Sequence, residues 1–260
     1  MAEETGYPPA AFYDDLAASY DRIYPDWEAS SQRQGDALHA VIAGELGPGP
    51  HRILDCAVGI GTQLLGLAAN GHRLAGSDLS TGAVGRAQAE CRRRGVQAGL
   101  AVADMRALPF ADGAFDVVVC ADNSLPHLLT APDVTRALGE LRRVARPGGL
   151  VVVTTRDYDQ ARQDRPFTTP LSLSRGTDGS TVTFQLWEWW PDGEHYDLRH
   201  FQVTGRDDHW RVAQRRTAYW ALSRAQLSGF ARQAGLAAPE WRGPDQTGFF
   251  QPLLLTHAPR

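Results

Sequence analysis

From residue 51 to residue 155 five short apolar runs are interleaved with longer stretches of helical periodicity. "RILDCA" reads as a buried strand, "TQLLGLAANG" as a helix closed by Gly71, and "RLAGSD" as a second strand. "STGAVGRAQAECRRRG" fits a helix that Ser80 caps, followed by "AGLAVAD" as a third strand. "FDVVVCAD" is apolar on both faces, as a strand covered from both sides must be. A helix from about Asp133 to Ala145 ends at "RPGG", and "LVVVTT" is a fifth strand. Strands alternating with helices predict an α/β fold, a doubly wound, Rossmann-like, mostly parallel sheet.

The rest of the chain divides around that core. Residues 1–50 predict a helical cap, with apolar periodicity over 11–46 and a break at "GPGP". After residue 155 the texture becomes antiparallel: "TVTFQLWEWW", "EHYDLRHFQV" and "HWRVAQRRTAYWAL" are separated by "PDG" and "GRDD". A β-meander is therefore expected as an insertion over 156–215, a candidate specificity lid. The helix "SRAQLSGFARQAG" and the strand "QPLLLTH" in 216–260 complete the core sheet.

Composition narrows the chemistry. A net charge of −4 argues against a nucleic-acid partner, and the arginine run at 92–94 reads as the solvated end of a helix. No apolar run reaches membrane-spanning length and the first residues carry no export signal, so a cytoplasmic enzyme is expected. Three separated cysteines fit a reducing compartment, and eight scattered histidines have no ligand-like spacing, so no metal is expected. The 26 basic residues are all arginines, which excludes lysine Schiff-base chemistry and a P-loop lysine.

In such a sheet ligands bind beyond the carboxyl ends of the strands. There "LDCAVGIGT" places an acid, Asp55, directly before a loop with Gly59 and Gly61, where the backbone turns sharply and approaches a ligand closely. Asp55, Asp78 and Asp104 fall at successive strand ends, and Asp78 suits a ribose diol. A dinucleotide fingerprint wants a third glycine where Leu64 stands, and a carboxylate at Asp55 repels a pyrophosphate. A nucleoside carrying positive charge and no phosphate fits better, and S-adenosylmethionine is such a ligand.

The ordered run "ILDCAVGIGT", "GSDLS", "AVADM", "FDVVVCADNSLPHLL" and "RPGGLVVVTTRDYD" resembles the class I S-adenosylmethionine-dependent methyltransferases, a seven-stranded fold. "NSLPH" and "RDYD" are closest to the glycine/sarcosine N-methyltransferase branch. That resemblance implies a set of cofactor contacts. The backbone of Ala57 and Gly59 holds the methionine end, Asp78 the ribose, Asp104 and Met105 the adenine, the Ala121 backbone the ammonium and Arg33 the carboxylate, while Tyr20, Tyr24 and Trp27 cap the site. On the acceptor side it implies Asn123, Arg156, Tyr158 and Tyr219.

Asp122 departs from the branch, which has a small residue there, and a carboxylate at that point favours a cationic or hydroxylic acceptor. His127 and Asp122 are the candidate bases, with helix-start packing the alternative for His127. For Arg156 the alternative is an ion pair with Asp157, Asp159 or Asp164. Trp187, Trp189 and Trp190 read as core between strands, or as an aromatic cage for an ammonium. The expected function is methylation of a small molecule, foremost the nitrogen of an amino acid or related amine. Oxygen or carbon methylation of a natural-product scaffold and a silent cofactor-binding scaffold are the alternatives, and a homo-oligomer is left open.

Overall fold

The computed structural model describes residues 8–176 and 179–260. The elements run α1 (Pro9–Leu16), a 3-10 segment (Ala17–Ile23), α2 (Trp27–Leu46), β1 (Arg52–Asp55), α3 (Thr62–Ala69), β2 (Arg73–Asp78), α4 (Thr81–Arg94), β3 (Ala98–Val102) and β4 (Phe115–Cys120). They continue with α5 (Ala131–Val144), β5 (Ala145–Thr154), α6 (Tyr158–Asp164), β6 (Ser172–Gly176), β7 (Gly179–Trp189), β8 (His195–Arg206) and β9 (His209–Trp220). The chain closes with α7 (Arg224–Gln233), β10 (Glu240–Arg242), α8 (Pro244–Thr247) and β11 (Leu253–His257).

The core sheet has seven strands in the order β10-β11-β5-β4-β1-β2-β3. β1 to β5 pair in parallel, and β11 returns antiparallel beside β5. The topology reverses at β1, which pairs with β2 on one side and β4 on the other, so the loops after β1 and β4 flank a crevice. Helices on both faces bury the central strands completely. Val117 to Cys120 and Leu150 to Val153 have no exposed surface, which explains their unbroken apolar character.

Two glycines set how closely the cap approaches. A Cβ on Gly35 of α2 would lie 2.2 Å from the Gly66 backbone of α3, and one on Gly66 would lie 2.2 Å from Ser31 O. The helices therefore cross backbone against backbone. Ser31 Oγ donates to Thr62 O (2.7 Å) and the Trp27 indole donates to Thr62 Oγ1 (2.8 Å), so the cap grips the first residue of α3. Trp27 thus acts on the loop from behind.

The inserted sheet has the order β6-β7-β8-β9 and is antiparallel throughout. It spans 172–220 instead of starting at 156, because the chain first forms α6, which Asp157 caps. The expected helix over 11–46 is broken between residues 17 and 26, where Pro25 interrupts it and Asp26 caps a new start at Trp27. Ser80 caps α4 as expected, accepting from Ala83 N at 3.0 Å. Arg93 and Arg94, from the run expected to be solvated, bridge α4 to Glu28 at the start of α2. No helix among the described residues is long and apolar enough to cross a membrane.

Candidate active site

The loop after β1 is shaped by its glycines and held by one acid. Gly59 (φ 51°) and Gly61 (φ 97°) take left-handed backbone that side chains resist, and nothing lies within 4 Å of where a Gly59 Cβ would stand. Asp78, at the end of β2, accepts from Gly59 N (2.8 Å) and Ser80 N (2.9 Å). Its carboxylate ties the loop to the next strand while facing a cavity of about 290 Å³.

The cavity lies where the crevice was expected. Ala57, Gly59, Asp78, Asp104, Met105, Asp122, His127 and Tyr20 all line it. Asp55 sits beneath the loop with no exposed surface; its Oδ1 accepts from Ala57 N (3.3 Å) and its Oδ2 has no partner. Burial pushes Asp55 up to about 7, with Asp78 and Asp122 adding to the rise. Burial also raises Asp78 and Asp122. Asp78 and Asp122 on the cavity wall, and Asp55 beneath it, accept hydrogen bonds from neutral donors only. Asp104 differs. Although burial opposes it, Arg106 (2.6 Å) holds this carboxyl below the usual range, and Arg106 also pairs with Asp133. Asp104 thus meets a ligand with one face already taken.

Arg33 is not brought to the cavity. It is exposed on α2, donates to Ser30 Oγ (3.0 Å) and is absent from the cavity lining. Ala121 is buried below the lining, and its carbonyl accepts from Ser124 Oγ.

Past the end of β4, Asp122 (φ 54°) and Asn123 (φ 65°) both take left-handed backbone, which Asp and Asn tolerate best among non-glycine residues. Asp122 N donates to Thr154 Oγ1, Thr154 Oγ1 to Gln251 Oε1, and Gln251 Nε2 back to Asp122 Oδ1. Tyr24 completes the set by donating to Asp122 Oδ2 at 3.1 Å. Gln251 escaped the sequence reading because it lies 129 residues downstream. No local pattern couples it to Asp122.

His127 takes a different part from the expected base. Its Nδ1 faces the Ala218 carbonyl (3.2 Å), which only accepts, so Nδ1 carries the hydrogen and Nε2 accepts from the Tyr13 hydroxyl (2.8 Å). Burial, with Arg156 adding to it, pushes this imidazole down to about 3. At neutral pH it is an occupied neutral acceptor, a poor sink for a substrate proton. Tyr13 went unnoticed in the sequence because the first 27 residues carry a run of aromatics and only the fold selects one; Tyr219 lies 3.4 Å from its hydroxyl.

Arg156, expected to meet the acceptor, stands two residues past the end of β5 and is not among the residues that line the cavity. Asp157 and Asp159 pair with Arg224 and Asp164 accepts from Gln160, so none of the expected structural partners holds it. Its guanidinium donates to Tyr196 Oη (2.9 Å) and Gln185 Oε1 (3.0 Å), between the rings of Trp187 (4.7 Å) and Tyr219 (5.5 Å). Tyr158, fully buried, shares its hydroxyl with Tyr196 at 2.9 Å. The Arg156 backbone donates to Asn123 Oδ1, leaving the buried Asn123 Nδ2 without a partner. Trp187 is thus a platform for an arginine. Trp187 and Trp189 both pack on Tyr196, whereas Trp190 packs on His195, which stacks in turn on Trp220.

A seven-stranded sheet with an antiparallel last strand, an acid–glycine loop after β1 and acids at the ends of β1 and β2 define the fold of the S-adenosylmethionine-dependent methyltransferases. Residues 53–149 match the family model described as a methyltransferase domain, and the chain carries that domain. It is 29% identical over 158 residues to a glycine/sarcosine N-methyltransferase of Parasynechococcus marenigrum, covering 60% of this chain and 55% of the relative. It is 34% identical over 145 residues to a demethylmenaquinone methyltransferase of Beutenbergia cavernae, covering 55% and 56%. The chain thus spans little more than half the length of these curated relatives. The solved CcbJ methyltransferase of Streptomyces caelestis has the same fold, with a TM-score of 0.78 at 17% identity over 98% of this chain and all of that one.

Proposed function

We propose that this chain is an S-adenosylmethionine-dependent methyltransferase of a small molecule, and that the acceptor is the nitrogen of an amino acid or related carboxylate-bearing amine. The residues fit the cofactor. The space at Gly59 admits its methionine end, Asp78 reaches a ribose diol, and the unpartnered Asp55 Oδ2 together with the raised carboxyls of Asp78 and Asp122 favours a positively charged ligand. When bound, the cofactor supplies a methyl group on a cationic sulfur with a good leaving group.

The protein's task is then alignment and exclusion of water, worth roughly 7–11 kcal/mol at best. α1 and the inserted sheet close the acceptor side with Tyr13, Tyr196 and Tyr219. The observation that carries the acceptor reading is Arg156, a half-buried cation whose hydrogen-bond partners are neutral and whose charge opposes the rise of the Asp122 carboxyl, which itself lines the cavity. A carboxylate on Arg156 and Asn123 Nδ2 leaves the other end of a zwitterion to Asp122, whose carboxyl receives the ammonium proton so that the nitrogen arrives neutral.

Release of S-adenosylhomocysteine over a panel of amino acids, their methyl esters, simple amines and phenols tests this. Turnover concentrated on the free amino acids supports it. Turnover on phenols alone would favour oxygen methylation, and cofactor binding without turnover on any member would favour a silent scaffold.

A further inference from the structure

Asp122, the carboxylate asked to take the acceptor's proton, is held from two sides. Its Oδ2 accepts from Tyr24, which arrives with the cap, and its Oδ1 accepts from Gln251 Nε2 (3.3 Å), which precedes β11 in the core sheet. Gln251 is itself anchored. Two residues on, Leu253 pairs with Thr154 at the end of β5, and Thr155 N donates to Pro252 O beside them. Gln251 and Thr154 are 6% and 0% exposed, so water competes little for either side chain.

The direction of each bond follows from one fixed hydrogen. Asp122 N can only donate, and it donates to Thr154 Oγ1 (2.8 Å). The Thr154 hydroxyl then gives its own proton to Gln251 Oε1 (2.7 Å), which sets the flip of the amide and turns its nitrogen to Asp122 Oδ1. The ring closes on the residue where it began. With one donor on each oxygen, the Asp122 carboxylate keeps free lone pairs for a ligand in the cavity it lines.

We propose that Gln251 is a positioning residue for methyl transfer: its amide, oriented by Thr154, holds the Asp122 carboxylate toward the cavity in the attitude that receives the acceptor's proton. The inference rests on the proposed role of Asp122. Tyr13, Tyr20 and Tyr24 of the cap, Asp55 beneath the loop after β1 and Arg156 past β5 face Asp122 from the elements around it. Burial raises the tyrosines out of the working range, which leaves Asp55 as the neighbour that titrates with Asp122, and Asp122→Asn tells the two apart.

Turnover against pH at saturating S-adenosylmethionine tests it, with the free amino acid or simple amine of the acceptor panel that the wild type methylates fastest. Gln251→Met removes the donor, and Gln251→Glu keeps the Thr154 bond while facing Asp122 with a like charge. Losing the donor should carry the acid limb of kcat up by about one pH unit and lower kcat about tenfold near neutral pH, with Gln251→Glu shifting it further and cofactor Kd staying within about twofold. Adding either substitution to Asp122→Asn should change nothing more. In variants with the wild-type circular dichroism spectrum, an unmoved limb would overturn the proposal alone. So would a loss that adds in full to that of Asp122→Asn, by giving Gln251 a merely structural part. A wild-type kcat in Asp122→Asn, or no turnover of any panel member, would remove the acceptor reading and this proposal with it. Should neither Gln251 variant fold, Thr154→Val, which frees the amide to flip, carries the same expectation.

Discussion

Arg156 is a charge that the fold encloses among hydroxyls, an amide and aromatic faces, with no carboxylate in ion-pair contact among the described residues. Such a group binds an anion from the acceptor or contributes little. Replacing it with alanine is expected to raise KM for a carboxylate-bearing acceptor tenfold or more, since a charged hydrogen bond contributes roughly 1.5–3 kcal/mol. Cofactor affinity should barely move. Steady-state kinetics with both substrates varied separates the two, and an unchanged acceptor KM would refute the carboxylate role. Asp55 makes a second prediction at this scale. Raised to about 7, it keeps its proton in the ligand-free protein below that pH, whereas a bound cation favours the ionised form. Cofactor binding should therefore release a proton near pH 6 and affinity should climb from pH 5.5 to about 7.5, then level off. Calorimetry in buffers of different ionisation enthalpy reads the proton directly. Asp55→Asn should flatten the slope, and a pH-independent wild type would contradict the assignment.

Among the elements, α1 is held in place by a tertiary contact. It is eight residues long and has no side-chain cap. Asp14 docks it, accepting from Ser80 Oγ (2.5 Å) and Gly82 N (2.8 Å) at the start of α4, beside the cavity acid Asp78. Ser80, the main contributor, and Gly82 hold the Asp14 carboxyl below its usual range. Asp14→Ala should loosen α1 by about 1 kcal/mol, the usual worth of such a cap. Limited proteolysis should then cut the first twenty residues several-fold faster, with cofactor restoring protection; an unchanged rate would show that α1 is held by other contacts. This latch was invisible in the sequence, since an aspartate 66 residues before its serine leaves no pattern. The strands, by contrast, were legible, because period, length and turn residues are local. α6 and the three-residue β10 escaped because both are short and owe their form to their neighbours.

At the scale of the molecule, the parallel core and the inserted sheet followed from alternating textures along the chain, whereas the strand order that reverses at β1 is set by the fold. The part of the cavity formed by Ala57, Gly59, Asp78, Asp104 and Met105 was readable for the same reason, while Arg33 and Ala121 lie outside its lining. Those lining residues sit at strand ends and in one loop, where topology alone brings them together. The acceptor side was only partly readable. Arg156 stands at a strand end, but Tyr13, Gln185, Tyr196 and Gln251 come from four distant segments that meet only once the sheet and cap have closed. His127 was visible, but its chemistry was not, because its weak basicity is a product of burial. The whole account depends on the cavity accepting a cationic nucleoside without phosphate. Isothermal titration of the purified, folded chain with S-adenosylmethionine and, separately, with NAD asks this directly. One equivalent of S-adenosylmethionine should bind with micromolar or tighter affinity while NAD gives no heat of binding. No heat from S-adenosylmethionine, or saturable uptake of NAD in its place, would contradict the account.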